Sequence, residues 1–212
     1  MPPLNTIKIS QLLVRNCRPI VIAVQDATKG NRLGGNPPTG VVPLIVKPWT
    51  CYFATLEITD DPPDPPMELS VFLAGGSSVD LLRQCMHLMP ANEGPVQLVI
   101  HPASARAAQS EFHSDLSGHS LLIQEEIEDL HRDEGAPDHK LGGRPFYHHD
   151  YRFSILEETQ RALASGYFHY LQLSFPGYGD APVTGTWPFG EYVFHIFARE
   201  SPEGFDFLCG WA

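Results

Sequence analysis

Apolar and polar residues alternate over several short stretches of the chain, and a period of two is typical of β-strands. This pattern predicts strands at 19–24, 41–46, 50–58, 68–74, 96–100, 167–175, 191–198 and 206–211. Between them lie segments rich in proline and glycine, of which the chain has 20 and 18. We therefore expect short elements joined by many turns and loops.

A period near 3.6 residues predicts helices at 4–16, 78–89, 120–131 and 154–165. In the last of these, Ser154 and Glu157 have the spacing of a capping box, and Gly166 would end the helix. In the helix at 120–131 the residues of one side would be buried, namely Ile123, Ile127 and Leu130. A strand at 121–124 is the competing interpretation of that segment.

One pattern occurs twice: a basic residue, Leu, two glycines, a polar residue and Pro. The copies lie at 32–37 and 140–145, and each is followed by two apolar strands, with Tyr52 corresponding to Tyr167 and Glu57 to Gln172. Matched blocks in the same order indicate an internal duplication. We predict a single domain made of two related halves, about 1–115 and 116–212, that share one core.

The predicted fold class is α+β, with an internal duplication and mostly antiparallel sheets, because short strands outnumber helices and do not alternate with them. The glycine pairs, Gly34 with Gly35 and Gly142 with Gly143, are expected to form tight turns where two backbones approach closely. Neither pair has the spacing of a phosphate-binding P-loop. A cleft between the halves is a possible ligand site.

Charge is concentrated in one segment. The chain has a net charge of −11, and residues 111–138 contain nine acidic residues against Arg132 alone. Such a field repels nucleic acid and favours a basic protein partner, although it could also serve solubility alone. The residues predicted to bind the partner are Glu125, Glu126, Glu128 and Asp129, on the exposed side of the helix at 120–131, together with Asp133 and Glu134.

The sequence gives no sign of a membrane protein. No apolar run approaches the roughly 18 residues of a membrane span, and the N-terminus lacks the apolar centre of a signal peptide. We therefore expect a cytoplasmic protein without a membrane partner. The four cysteines, Cys17, Cys51, Cys85 and Cys209, are far apart and are expected to be reduced and mostly buried.

The sequence contains no established signature of catalysis or metal binding. His148, His149 and Asp150 form the most metal-like cluster, but adjacent histidines on a strand point to opposite faces. His169 and His195 lie on two strong strands and are expected to form a packed, hydrogen-bonded pair. The hydrolase motif G-x-S-x-G is absent from the sequence. We predict no catalytic residue, no metal and no cofactor.

The two repeated blocks, the strand at 167–173 with Gln172, and the stretch at 187–194 together resemble the YwqG-like family of bacterial cytoplasmic proteins. The resemblance implies a duplicated α+β domain and an occurrence near secreted polymorphic toxins, where some members look like immunity proteins. It supplies no catalytic residue. The predicted function is therefore a protein-binding module, most concretely an immunity protein that blocks a basic toxin domain by occlusion. The alternative is an enzyme or small-ligand-binding protein that uses the cleft between the halves.

Overall fold

The computed structural model describes residues 16–25, 28–45, 50–58, 66–74, 87–130, 137–146, 152–174, 183–185, 187–189, 192–202 and 204–211. The strands are β1 (Asn16–Ile22), β2 (Arg32–Leu33), β3 (Thr50–Glu57), β4 (Met67–Ala74), β5 (Met89–Pro90), β6 (Val96–Pro102), β7 (His119–Ile123), β8 (Ile127–Glu128), β9 (Lys140–Gly142), β10 (Phe168–Leu173), β11 (Phe194–Ser201) and β12 (Gly204–Trp211). The helix α1 spans Arg152–Ala164, and a short 3-10 turn spans Val42–Leu44.

All twelve strands belong to one sheet, which is antiparallel and curls into a half-barrel. Its order is β5-β12-β11-β10-β9-β1-β7-β2-β3-β4-β6, and β8 pairs with β1 beside β7. Within the described residues α1 is the only α-helix. The predicted α+β class is therefore wrong, because the described residues form mostly one large antiparallel sheet with a single α-helix.

The predicted helix at 120–131 accounts for much of this error. The segment forms β7 and β8 instead, and β7 pairs with β1 so that Ile20 lies opposite Ile123 and Ile22 opposite Leu121. Ile127 and Leu130, which the helix would bury, are 44% and 43% exposed. Pairing with a strand about one hundred residues away outweighs the local helical spacing, and the competing strand interpretation is correct.

The remaining helix predictions have mixed outcomes. Those at 4–16 and 78–89 fall almost entirely outside the described residues, and the last residue of each, Asn16 and Met89, lies in a strand. The helix predicted at 154–165 exists but begins at Arg152, which places Ser154 inside it rather than at its cap. Its C-terminal end lies before Gly166, which has a φ of +85°. The strand predicted at 41–46 is instead the 3-10 turn, which contains Pro43.

The sheet is nearly symmetric about its centre, which lies between β1 and β7. On one side of the centre come β1, β9, β10, β11 and β12, and on the other come β7, β2, β3, β4 and β6. β1 opens the first repeat but pairs with β9 of the second, while β7 opens the second repeat but pairs with β2 of the first. The two repeats have therefore exchanged their first strands, and neither sheet half is formed by a continuous stretch of chain.

The strand registers correspond as well. Arg32 lies opposite Thr55, and Lys140 lies opposite Gln172. Each neighbouring strand has a bulge at the same place, between Tyr52 and Ala54 in β3 and between His169 and Leu171 in β10. Tyr52 thus corresponds to His169 and Thr55 to Gln172, so the alignment of Tyr52 with Tyr167 is displaced by two residues. A shift of two residues keeps every side chain on its own face of a strand, which hides the error from pattern matching.

The main core lies on the inner face of the curled sheet and contains residues of both halves. Phe53 of the first half packs edge-on against Phe189 and Phe194 of the second, with ring centroids 5.0 and 5.6 Å apart. Phe189 in turn stacks on Phe194 at 4.8 Å. Each such aromatic pair adds about 0.5–1.5 kcal/mol beyond the burial of its surface. These contacts join the two halves across the inside of the half-barrel.

Candidate functional site on the outer face of the sheet

The outer face of the sheet, which points away from this core, is open at its centre. Ile20 and Ile123 face the core, so their strand neighbours Val21 and Leu122 face outward. Val21 and Leu122 lie opposite each other and are 49% and 48% exposed. Five of the eight exposed large apolar side chains in the described residues lie on β1, β7 and β8 or within two residues of them: Val21, Val24, Leu122, Ile127 and Leu130.

Exposed carboxylates lie beside these apolar residues. Glu125, Glu126 and Glu128 occupy the turn after β7 and the short strand β8, and all three are exposed. Asn16 donates a hydrogen bond from Nδ2 to Glu126 Oε1 at 2.6 Å, which ties this segment to β1. We call Val21, Leu122 and Ile127, together with these three glutamates at the end of the same strands, the central outer face; Glu128 lies opposite Asn16 and therefore points to the other side of β8 from Ile127. Exposed apolar groups bordered by charges are a usual composition for a protein-binding surface.

Asp129, the fourth residue predicted to face water, is buried instead. Lys140 Nζ donates to its two carboxylate oxygens at 2.7 and 2.9 Å, and the Arg144 backbone N–H donates to Oδ2. Asp129 therefore stabilises the second glycine turn and cannot meet a partner, which corrects its predicted role. The helix model failed here because it placed Asp129 on the same side as the glutamates. Asp133 and Glu134 lie outside the described residues.

The two glycine pairs form the turn mentioned above and its counterpart in the first half. Gly34, Gly35, Gly142 and Gly143 have φ values between +66° and +71°, a conformation that side chains other than glycine rarely adopt. A Cβ on Gly143 would lie 2.3 Å from Asp129 Oδ2, and one on Gly34 would lie 2.3 Å from the Ser117 carbonyl oxygen. Both turns are thus structural positions at which another segment of the chain approaches the backbone closely.

Away from its centre, the outer face of each half contains a buried polar network built around the basic residue of the repeat. In the second half, Lys140 pairs with Asp129, and Gln172 accepts the Phe146 N–H at 2.8 Å and donates to the Asp138 carbonyl at 3.1 Å. In the first half, Arg32 pairs with Glu68 at 3.1 Å, and both side chains are almost completely buried. The repeated basic residue is thus a buried cation, a role that sequence analysis did not predict.

The first network contains an arrangement like that of a serine hydrolase. Ser70 Oγ lies 2.8 Å from His101 Nε2, and Glu68 Oε2 lies 4.0 Å from His101 Nδ1. His101 Nδ1 is closer to the Pro102 carbonyl, at 2.9 Å, so it donates there and leaves Nε2 to accept the Ser70 hydroxyl. Ser70, His101 and Glu68 are at most 1% exposed. No substrate could reach these atoms, so we interpret the network as structural.

A second serine–histidine contact lies nearer the surface, where Ser117 Oγ is 2.6 Å from His119 Nε2. His119 Nδ1 donates to the Ala23 carbonyl at 3.0 Å. In the other half, Arg18 occupies the matching position and donates from Nε to the Gln124 carbonyl at 3.2 Å. Arg18, which cannot act as a base, thus makes the bond to the neighbouring strand that His119 makes to Ala23. We therefore interpret His119 and its contact with Ser117 as structural.

His169 and His195 are both buried in the second network. His169 Nδ1 lies 3.1 Å from the Gly142 carbonyl, and His169 Nε2 lies 3.2 Å from His195 Nδ1. Burial, assisted by the positive charge of Lys140, lowers the pKa of His169 to about 4. Burial also lowers the pKa of His195, and His169 and Lys140 act in the same direction. The two rings are a packed pair without access to solvent, unlike a catalytic pair.

The lowered pKa of His169 predicts acid sensitivity. In the unfolded chain His169 binds a proton below its ordinary pKa of about 6.5, whereas in the folded chain it stays neutral down to about pH 4. The free energy of unfolding therefore falls as the pH decreases from about 6.5 to about 4. The loss between pH 7 and pH 5 should be smaller by about 1–2 kcal/mol in a His169→Gln variant. Urea unfolding at pH 7 and pH 5 measures this loss of stability, and His113→Gln, which replaces an exposed histidine, is the control. An identical loss in all three proteins would contradict the prediction.

Metal ligands and reactive thiols do not define a site in the described part of the chain. It contains no group of three or more His, Cys, Asp or Glu side chains that could hold a metal ion. His148, His149 and Asp150 lie outside it. Cys17, Cys51 and Cys209 are not in disulfide bonds, and burial raises the pKa of Cys17 to about 12 and also raises that of Cys51. Neutral, desolvated thiols of this kind are poor nucleophiles.

Comparison with known proteins identifies no relative: no family model, no curated protein and no solved structure matches this chain. The resemblance to the YwqG-like family therefore stays a prediction, as does the activity that it implies. Among the described residues, none of the helical structure is long and apolar enough to cross a membrane.

Proposed function

We propose that this chain is a protein-binding module of the cytoplasm that uses the central outer face, and that it acts most concretely as an immunity protein. In this role it would block the functional surface of a basic toxin domain by occlusion. The observation that supports the proposal is the uncovered outer face around Val21, Leu122 and Ile127, with the exposed carboxylates of Glu125, Glu126 and Glu128 at the end of the same strands. The apolar groups would supply affinity, and the carboxylates would attract a cationic partner.

Two further features agree with binding rather than catalysis. The serine–histidine and histidine–histidine contacts are explained by structural roles, so no catalytic site among the described residues is better supported than the proposed binding surface. In addition, the central outer face is built on paired strands of a continuous sheet, and a rigid support lowers the entropic cost of binding. The acidic face also disfavours nucleic acid, because its phosphates would be repelled.

Reversing the charge of the glutamates tests the proposal directly. Protein recovered from the native cell on the wild-type chain is purified, and its association rate is measured with wild type and with the triple variant Glu125→Lys, Glu126→Lys, Glu128→Lys. At low ionic strength the rate should fall about 10-fold or more, because electrostatic steering is reversed. The fall should shrink as salt is added.

The matched control reverses three exposed glutamates elsewhere, Glu93, Glu111 and Glu200, and produces the same net charge. This control should slow association by less than about threefold, since these residues are not on the central outer face. Equal effects of the two triple variants would mean that only net charge matters. A rate unchanged by either variant would contradict the electrostatic part of the proposal.

A further inference from the structure

The exposed glutamates lie on a short segment that is fixed at both ends. We call this segment, residues 124–129, the acidic segment. At its first end the Gln124 N–H donates to the Pro19 carbonyl at 2.8 Å. At its second end Asp129 turns inward, and Lys140 Nζ lies 2.7 and 2.9 Å from its carboxylate oxygens. The residues between these ends are exposed, so the place of the glutamates depends on these anchors and on the pairing of β8 with β1.

The two repeats give their buried cation different anions. In the first half Arg32 pairs with Glu68, which belongs to β4 of the same sheet half. Continuing the register of β11 with β10 by one residue places Val193 at the position that Glu68 has in β4. Val193 is apolar and buried. The carboxylate that pairs with Lys140 therefore comes from outside this part of the sheet, from Asp129 of the acidic segment.

This buried pair is the anchor that resists displacement most strongly. The strand β8 contains two residues, and both pair with the start of β1. The backbone bonds of so short and exposed a strand open readily. Moving Asp129 out to water would instead leave the ammonium group of Lys140 buried without its counter-charge, which is strongly unfavourable. The acidic segment can therefore leave the sheet only if the pair is broken.

We propose, building on the protein-binding function above, that Lys140 and Asp129 are positioning residues of the binding surface. Their buried pair holds the acidic segment in place, so that the carboxylates of Glu125, Glu126 and Glu128 meet a cationic partner in a fixed arrangement. A surface that is ordered before binding loses less conformational entropy when the partner arrives. The repeated buried cation thus serves the sheet alone in the first half, and it also places the acidic segment in the second.

The experiment removes the buried ion pair of each repeat in turn and keeps the net charge. The test variant is Lys140→Met, Asp129→Asn, and the matched control is Arg32→Met, Glu68→Gln. Hydrogen–deuterium exchange of the full chain, followed by mass spectrometry of its peptides, measures how often β8 opens. Exchange in the peptide that covers 125–130 should be at least about tenfold faster than wild type in the test variant, and within about twofold of wild type in the control.

A second variant decides the question if the test variant does not fold. Asp129→Glu keeps both charges of the pair, but its additional methylene displaces the acidic segment from Lys140. Exchange at 125–130 should then rise by at least about threefold. Equal exchange at 125–130 in the test variant and the control would overturn the positioning role, because a general loss of stability would explain it. Exchange that stays at the wild-type rate in Asp129→Glu would overturn it as well.

The native partner separates this inference from the proposed function. If both are correct, the partner should dissociate at least about fivefold faster from the test variant than from the control. Faster exchange at 125–130 with equal dissociation rates would show that the pair holds the segment although the partner binds elsewhere, which contradicts the proposed function. Unchanged exchange, together with slower association after reversal of the three glutamates, would contradict the positioning role and leave the proposed function intact.

Discussion

Replacing Lys140 by methionine should lower the free energy of unfolding by about 3–5 kcal/mol, which is the usual cost of removing one partner of a buried ion pair. Lys140 and Asp129 are both buried, and Nζ lies 2.7 and 2.9 Å from the two carboxylate oxygens. Methionine fills a similar volume but leaves the Asp129 carboxylate without its cation. The same carboxylate accepts the Arg144 N–H at the glycine turn, so it cannot easily move out to water. Urea unfolding monitored by circular dichroism measures the change.

Two controls separate the loss of the pair from the loss of the lysine. In the double variant Lys140→Met, Asp129→Asn, the amide oxygen can still accept the Arg144 N–H and no charge is buried. It should therefore recover at least about 1 kcal/mol relative to Lys140→Met alone. Asp206→Asn removes a surface partner of Arg199, in a pair whose side chains are 39% and 42% exposed, and it should have a much smaller effect. A loss in Lys140→Met no larger than that in Asp206→Asn would contradict the prediction.

The sequence predicted those parts of the fold that depend on interactions between residues close together in the chain. Glycine pairs at 34–35 and 142–143 indicated tight turns, and all four glycines have the positive φ that few other residues tolerate. The alternating stretches at 50–58, 68–74 and 96–100 correspond to β3, β4 and β6 within two residues. Each of these features depends on neighbours in the chain. Composition and period were therefore sufficient to find them.

The pairing of strands that are far apart in the chain could not be predicted from composition and period. The spacing of Ile123, Ile127 and Leu130 fits a helix, and only the position of β1 opposite Ile123 makes the segment a strand. The exchange of first strands between repeats has no local signal either, since β1 and β7 resemble ordinary strands wherever they pair. This contributed to the wrong α+β class, because the local period at 120–131 predicted a helix where pairing with a distant strand forms sheet.

The candidate site was predicted in part. The excess of acidic residues in 111–138 correctly indicated exposed glutamates at 125, 126 and 128. The same count could not separate Asp129 from them, because its burial depends on Lys140 in another strand. A signal was available: Lys140 and Arg32 occupy the same place in the two repeats, and a basic residue within a glycine-flanked apolar strand needs an anion nearby. The apolar part of the face depends on the pairing of Val21 with Leu122, two residues about one hundred positions apart, and no local pattern indicates this pairing.

Replacing Gly34 by alanine should lower the free energy of unfolding by about 2–5 kcal/mol. Gly34 has a φ of +66°, and the left-handed conformation costs about 1–2 kcal/mol for a residue with a Cβ. The new Cβ would also lie 2.3 Å from the Ser117 carbonyl oxygen and 2.9 Å from Leu116 Cβ. Such overlap in a packed region adds about 1–3 kcal/mol, because the obstructing oxygen belongs to the backbone and cannot rotate away.

Gly166→Ala is the matched control, because it isolates the conformational part of this cost. Gly166 also has a positive φ, of +85°, but the nearest atom to its new Cβ would be Arg199 Cδ at 3.7 Å, an ordinary contact. It should therefore lose only about 1–2 kcal/mol. Gly143→Ala should lie closer to Gly34→Ala, since its Cβ would press on Asp129 Oδ2 and disturb the pair with Lys140. Equal losses at Gly34 and Gly166 in urea unfolding would show that the close approach of the backbones does not determine the glycine at position 34.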